Sequence, residues 1–317
     1  MSKVAAFIHG VYPRSDILSQ TSRDFDRQRL TLSDLEKQRR KDFDELIKQQ
    51  KASSFELLED GKLSWQDIFR PIVESTSGME VGALTRWFDN NTFYRQPIIS
   101  GKLKLDSKKL DKFFLSTIDR KWKVTLASPF TFAKLTEDTF STSFEKTLDS
   151  IIEIYIELLA YLETKKYHFV QFNEPFIPYN KLKKSEIILF KKSLSKLKEV
   201  KRDFVFAVSG YFGNTAELVK TLAESDVVDV LGIDFVTTPL SSLPKKLDKD
   251  IIAGVVDGRN SLLEEKNVIK SFVEKAIKHF GDKTIYLSNN SDLDLLPETV
   301  AKEKIKLLGI VRKEFAK

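Results

Sequence analysis

The chain has 317 residues, 41% hydrophobic and 31% charged, with no cysteine and a formal net charge of +6 from 52 basic and 46 acidic residues. The missing cysteine excludes disulfides, a thiolate nucleophile and sulfur ligation of zinc. No apolar run approaches the roughly 18 residues of a membrane span, His9 and Gly10 interrupt the N-terminal stretch too early for a signal-peptide core, and the mixed charges carry no aromatic ladder for stacking bases. A cytoplasmic protein that binds neither membrane nor nucleic acid is expected.

In chain order, residues 4–8 are the first strand candidate. Residues 27–50 are charged and periodic enough for a long helix, starting near the cap signal Thr31-Leu32-Ser33-Asp34. Residues 55–58 supply a second strand, 82–101 an insertion, and 123–127 a third strand. From about Phe144 onward, short apolar or β-branched runs alternate with amphipathic stretches. The strands fall at 168–172, 204–208, 227–233, 251–256 and 284–287, and the helices at 185–200, 215–224, 262–280 and 298–315. Eight strands wrapped by helices predict a (β/α)8 TIM-like barrel spanning 1–317 as one domain, with a long N-terminal helical segment and an insertion between strands two and three; a doubly wound open sheet is the alternative. No G-x-G-x-x-G follows the first strand, so a nucleotide cofactor is not expected.

Side chains just past barrel strands converge on the C-terminal face, so the polar strand endings are the site candidates. They are Tyr12 and Arg14 after strand one, Asn173 and Glu174 after strand four, Tyr211 and Phe212 after strand five, Asp257, Arg259 and Asn260 after strand seven, and Ser291 after strand eight. The insertion adds Trp87, Asp89 and Asn91. Each also has a structural reading: Pro175 after Glu174 can end a strand, Gly213-Asn214 can cap a helix, and Asp257 with Arg259 can be an ion pair beneath the rim.

These same residues carry a family resemblance. Phe172-Asn173-Glu174-Pro175, Tyr211-Phe212-Gly213, Val256-Asp257-Gly258-Arg259-Asn260 and Trp87-Phe88-Asp89-Asn90-Asn91, with Tyr94 and Pro97 beyond, resemble the ordered motifs of the N-terminal domain of cobalamin-independent methionine synthase. Ser128-Pro129-Phe130-Thr131-Phe132 is similar to its segment after strand three, and Gly10 to Arg14 to its opening turn. The resemblance implies a protein of methionine biosynthesis, in a family that moves a methyl group from a folate to homocysteine. The full-length enzymes pair two barrels, with zinc held by His, Cys, Glu and Cys in the C-terminal one and the N-terminal one shaping the folate site. Where those enzymes carry basic residues for the folate tail, this chain has Ser15 to Ser22, with Arg23 alone near a basic position. That departure puts polyglutamate binding in question and is compatible with a different pterin, a shorter tail or another methyl carrier.

A zinc site needs at least three protein ligands, and His9, His168 and His279 fall at different places in the predicted barrel, so no metal and no bound cofactor are expected in this chain alone. The chain therefore reads as an auxiliary, non-catalytic barrel acting with a separate zinc-containing methionine synthase barrel, with methyl-folate or a related pterin as the shared substrate. Trp87, Tyr94, Phe130 and Tyr211 are the candidate docking anchors, and 82–101 is a contact arm or else a flap packed on its own barrel. Two alternatives stay open. One is a stand-alone metal-free enzyme using Glu174 and Asp257 as acid and base. The other is a pterin-binding protein in which Tyr12, Trp87 and Tyr211 stack the ring while Asn173 and Asn260 read its edge.

Overall fold

A computed structural model describes residues 3–114, 121–200, 203–245 and 247–316. Strand β1 (Val4–Ala6) leads through helices α1 (Asp16–Asp26), α2 (Leu32–Ala52) and α3 (Arg70–Ser75) to a long antiparallel hairpin, β2 (Thr76–Arg86) and β3 (Phe93–Leu105). After α4 (Ser107–Leu110) come β4 (Lys123–Ala127), α5 (Pro129–Leu135), β5 (Glu137–Asp138) and α6 (Phe144–Thr164). The second half alternates regularly: β6 (Phe169–Asn173), α7 (Phe176–Tyr179), α8 (Lys184–Leu197), β7 (Val205–Ser209), α9 (Ala216–Leu222), β8 (Val230–Asp234), β9 (Asp250–Val256), α10 (Lys266–Phe280), β10 (Ile285–Asn289) and α11 (Glu298–Glu314).

Seven strands pair in parallel in the order β1-β10-β9-β8-β7-β6-β4, curling into a barrel that is only partly closed. The gap between β1 and β4 is the position expected for a strand at 55–58. That stretch contributes only a bridge from Leu58 to Trp122, with Glu56 N–H donating to Ala6 O and Leu58 exchanging bonds with Lys121 and Lys123. The expected second strand is thus reduced to a seam.

Period-two alternation sorts the barrel residues. Val124, Leu126, Val170, Phe172, Phe206, Val208, Leu231 and Ile233 point out to the helices and join the main core. Phe7, Phe169, Ala207, Val230 and Ile252 point in and plug the lower barrel. The continuous apolar runs that marked these strands arise from this double-sided burial.

The helix expected at 27–50 is α2, and a further helix, α1, precedes it. Thr31 caps α2 reciprocally with Asp34, as the cap signal predicts, and Ser15 caps α1. Helix α6 was not anticipated; ten of its residues are buried, and the Tyr155 hydroxyl donates to Ala127 O at 2.7 Å. The insertion is longer than 82–101: β2 and β3 run from Thr76 to Leu105, and β5 pairs with β3 to make a small three-stranded sheet beside the barrel. None of the helices is long and apolar enough to cross a membrane among the described residues.

Candidate functional site

The C-terminal ends of the strands hold a layer of buried polar groups above the apolar plug. Its base, at the start of β4 and level with Phe169 of the plug, is an ion cluster. Glu59 receives hydrogen bonds from Lys62 (2.5 Å) and Lys123, and Lys123 Nζ also reaches Ile8 O (3.0 Å) and the Thr125 hydroxyl (2.8 Å). Thr125 returns its backbone N–H and hydroxyl to Glu59, and Lys62 lies 3.5 Å from Asp60. Burial opposes the Glu59 charge, but Lys123 and Lys62 more than offset it and hold its pKa at about 2. Burial pulls Lys123 down to about 8 against the pull of Glu59, so the pair stays ionised at neutral pH.

Next to this cluster runs a chain of neutral groups. Gln171 Nε2 lies 3.0 Å from His9 Nδ1 and donates to Asn173 Oδ1 at 2.9 Å; Asn173 reaches the Tyr211 hydroxyl at 3.4 Å, and Tyr211 reaches Asp292 at 3.5 Å. Burial, then Lys123, pushes His9 down to about 3, so its imidazole is neutral. Asp292 also accepts the Val11 N–H at 2.8 Å and packs against Gly10 (φ +69°), where any Cβ would run into its carboxylate. Burial, reinforced by Asp294, raises the Asp292 pKa, and burial raises that of Asp294.

The hairpin tip closes over this mouth. Thr92 donates to Asp294 at 3.3 Å, Asp89 pairs with Arg259 at 3.8 Å, and Phe88 meets Tyr179 and Phe212 at 5.0 and 5.7 Å between ring centres. Phe88 and Phe212 both have positive φ, +52° and +66°, a conformation disfavoured for bulky residues. Beneath the tip lies a pocket of about 60 Å³ lined by Lys62, Trp65, Trp87, Tyr94, Asp292 and Asp294, among others.

The candidates read from sequence divide accordingly. Asn173, Tyr211 and Ser291 are buried at the mouth, and Trp87 and Phe212 pack in its cover. Arg14 is mostly buried and donates to Trp65 O. Asp89, Asn91, Arg259 and Asn260 stand exposed on the rim. Glu174 faces away from the barrel axis. It ties β6 to α5 and α7 by accepting from Ser128, from Thr131 (2.8 Å) and from the Ile177 N–H (3.1 Å). Burial raises its pKa to about 7.

Three expectations need correction. Trp87, Tyr94, Phe130 and Tyr211 are buried, Trp87 and Tyr94 at 4% exposure, so they are not exposed anchors; Trp87 and Tyr94 pack on Phe69, and Phe130 packs on Phe190. The 82–101 segment is a flap on its own barrel. Arg259 pairs with Asp89 instead of Asp257, whose carboxylate accepts the Arg259 backbone N–H at 2.9 Å. Of the residues offered for ring stacking, Tyr12 and Tyr211 are buried and Trp87 packs on Phe69, while Asn260 stands exposed on the rim. Glu59, Lys62, Lys123, Gln171 and Asp294 were not anticipated. Lys123 and Gln171 carry one signal, a polar residue at an inward position of a largely apolar strand; Glu59, Lys62 and Asp294 lie in loops and carry none.

Zinc does not fit this chain. His9 is inside the barrel, His168 borders the opposite end of β6, His279 contacts Pro244 O from α10, and no group of three or more His, Cys, Asp or Glu is set to hold a metal among the described residues.

A partly closed parallel barrel with a polar mouth under a β-hairpin flap defines a TIM-barrel-like protein with its site at the usual end. A sequence model described as the cobalamin-independent synthase N-terminal domain matches residues 73–280, and the chain belongs to that family. Among relatives, 5-methyltetrahydropteroyltriglutamate–homocysteine methyltransferase of Listeria welshimeri is 29% identical over 64% of this chain and 27% of its own length. The enzyme of the same name from Campylobacter jejuni (strain RM1221) is 28% identical over 68% of this chain and 29% of its own. The matched part therefore spans under a third of these relatives. In fold, the chain is similar to a B12-independent methionine synthase from Shewanella sp. W3-18-1 (TM-score 0.70, 18% identity, 98% of both chains) and to a putative vitamin-B12 independent methionine synthase from Listeria monocytogenes (TM-score 0.76, 14% identity, 99% of both).

Proposed function

We propose that this chain is the auxiliary barrel of a cobalamin-independent methionine synthase and docks, through its strand-C-terminal rim, on a separate zinc-bearing barrel that carries out methyl transfer to homocysteine. One observation carries the reading: exposed apolar side chains stand on several of the rim loops. Leu262 (74% exposed) and Leu263 follow β9, Val236 follows β8, Tyr179 follows β6, and Phe93 stands at the hairpin tip. Apolar side chains left in water on one face can mark an interface. These residues take over the anchoring role first assigned to Trp87, Tyr94, Phe130 and Tyr211.

The stand-alone enzyme with Glu174 and Asp257 is the weaker reading, because the Glu174 oxygens are taken up by Ser128, Thr131 and Ile177 away from the mouth. Binding of methyl-folate by this chain alone requires the flap to lift, since about 60 Å³ is far below the roughly 300 Å³ at which ligand pockets begin.

Mixing the purified chain with a zinc-containing methionine synthase barrel tests the proposal. A complex should form, and Leu262→Ser with Leu263→Ser should weaken it at least about tenfold, whereas Ile188→Ser on α8 should not. Absence of a complex, or equal affinity for all variants, refutes the docking role.

A further inference from the structure

Three rings floor the upper barrel. Phe7, Phe169 and Tyr286 touch pairwise, with ring centres 5.3–5.9 Å apart. The next inward residue along each of the same three strands is polar: His9 above Phe7, Gln171 above Phe169 and Ser288 above Tyr286. Strand alternation therefore brings these three side chains into one layer. All three are buried, and each keeps one polar atom without a hydrogen-bond partner among the described residues: His9 Nε2, Gln171 Oε1 and Ser288 Oγ.

Two other walls of the layer are close-packed, with Ser209 filling the space beside Gly232 and Asn290 that beside Gly254. Val230 and Ile252 belong to the plug below, and the next inward positions on their strands are Gly232 and Gly254, which project no side chain. Tyr211 covers the layer from above, its ring 5.2 Å from that of His9.

Unpaired buried polar atoms are costly and are normally satisfied. Three of them in one layer, on three strands, call for a common partner. We propose that the barrel encloses a binding site for one small neutral molecule that both donates and accepts hydrogen bonds, a water or an amide- or hydroxyl-sized solute, held by His9 Nε2, Gln171 Oε1 and Ser288 Oγ.

The donor and acceptor roles are fixed by the surroundings. Gln171 Nε2 donates to Asn173 and to His9 Nδ1, which leaves the His9 proton on Nε2 and the Gln171 oxygen free. The neutral imidazole keeps that arrangement throughout the physiological range. A cation or anion is disfavoured because the nearest charges, Glu59 and Lys123, are already bonded to each other. The guest would complete the chain that runs from His9 through Gln171, Asn173 and Tyr211 to Asp292 at the mouth.

Crystals of the native protein, one set grown in salt and buffer and one soaked in acetamide, test this directly. A density peak within hydrogen-bonding distance of all three atoms is expected in the first set. If that peak remains a single atom after soaking, the guest is water; an amide-shaped peak means the site also admits a solute. No peak, or side chains rotated to pair with one another, overturns the proposal. Selective 15N-histidine NMR gives a second reading: His9 should carry its proton on Nε2 and exchange it with a long-lived water, and a proton on Nδ1 would overturn the proposed arrangement.

Discussion

Replacing Glu174 separates a structural clasp from an acid–base group. Glu174→Ala strips a partner from Ser128, Thr131 and the Ile177 N–H, about 1 kcal/mol each, and adds a cavity, for a loss of about 3–5 kcal/mol. Glu174→Gln keeps the shape and the acceptor oxygen. Its effect depends on pH, because burial raises the native carboxyl to about 7 from an ordinary 4.5. A carboxyl raised in the folded state gives stability that is fully present below about pH 4.5 and is lost as pH rises through about 7. Fully expressed, that shift is on the order of 3 kcal/mol. Urea denaturation of native and Glu174→Gln protein at pH 5 and pH 8 should therefore show the variant gaining relative stability at the higher pH. A difference independent of pH refutes the raised carboxyl. If the isolated chain transfers methyl groups to homocysteine and Glu174→Gln abolishes that activity while leaving stability intact, the clasp reading fails as well.

Lys123→Met leaves Glu59 buried with only Lys62 to compensate it, and should cost about 3 kcal/mol in denaturant titrations; adding Glu59→Gln should recover much of the loss. Gly10→Ala forces a left-handed residue against Asp292 and should destabilise by at least about 1 kcal/mol, with the Tyr211–Asp292 contact displaced in a crystal structure. Elemental analysis of the purified chain should find no stoichiometric zinc; about one tightly held zinc per chain would refute the auxiliary assignment.

The sequence was most legible where burial is two-sided. The runs at 123–127, 168–172, 204–208, 227–233, 251–256 and 284–287 are largely apolar and mostly buried on both faces, and β4 and β6–β10 form at or within three residues of them. The run at 55–58 looks similar but pairs over a single bridge, because its extent depends on neighbours 50 or more residues away. The site was less legible than the fold. Lys123 at the head of an apolar run reads as a polar strand end, and only the closing of the barrel brings it to Glu59, 64 residues earlier. Aromatic residues in the hairpin looked like exposed anchors, since a sequence does not reveal which way a flap folds. Trp87 and Tyr94 turn inward onto Phe69, while Phe93, one residue from Tyr94, faces out.

The seam between β1 and β4 gives the barrel a latch unlike its other joints. Elsewhere each strand is zipped to its neighbour by a backbone ladder, but here the hoop is fastened largely by side chains: Glu59 from one lip, Lys123 and Thr125 from the other, with Ile8 O as a third point. Local opening should begin at such a joint, because few backbone bonds need to break there. In hydrogen–deuterium exchange, the amides of Leu58 and Lys123 should exchange ahead of those in β6–β8, and Lys123→Met should widen that lead by removing the latch while leaving the remaining ladders intact.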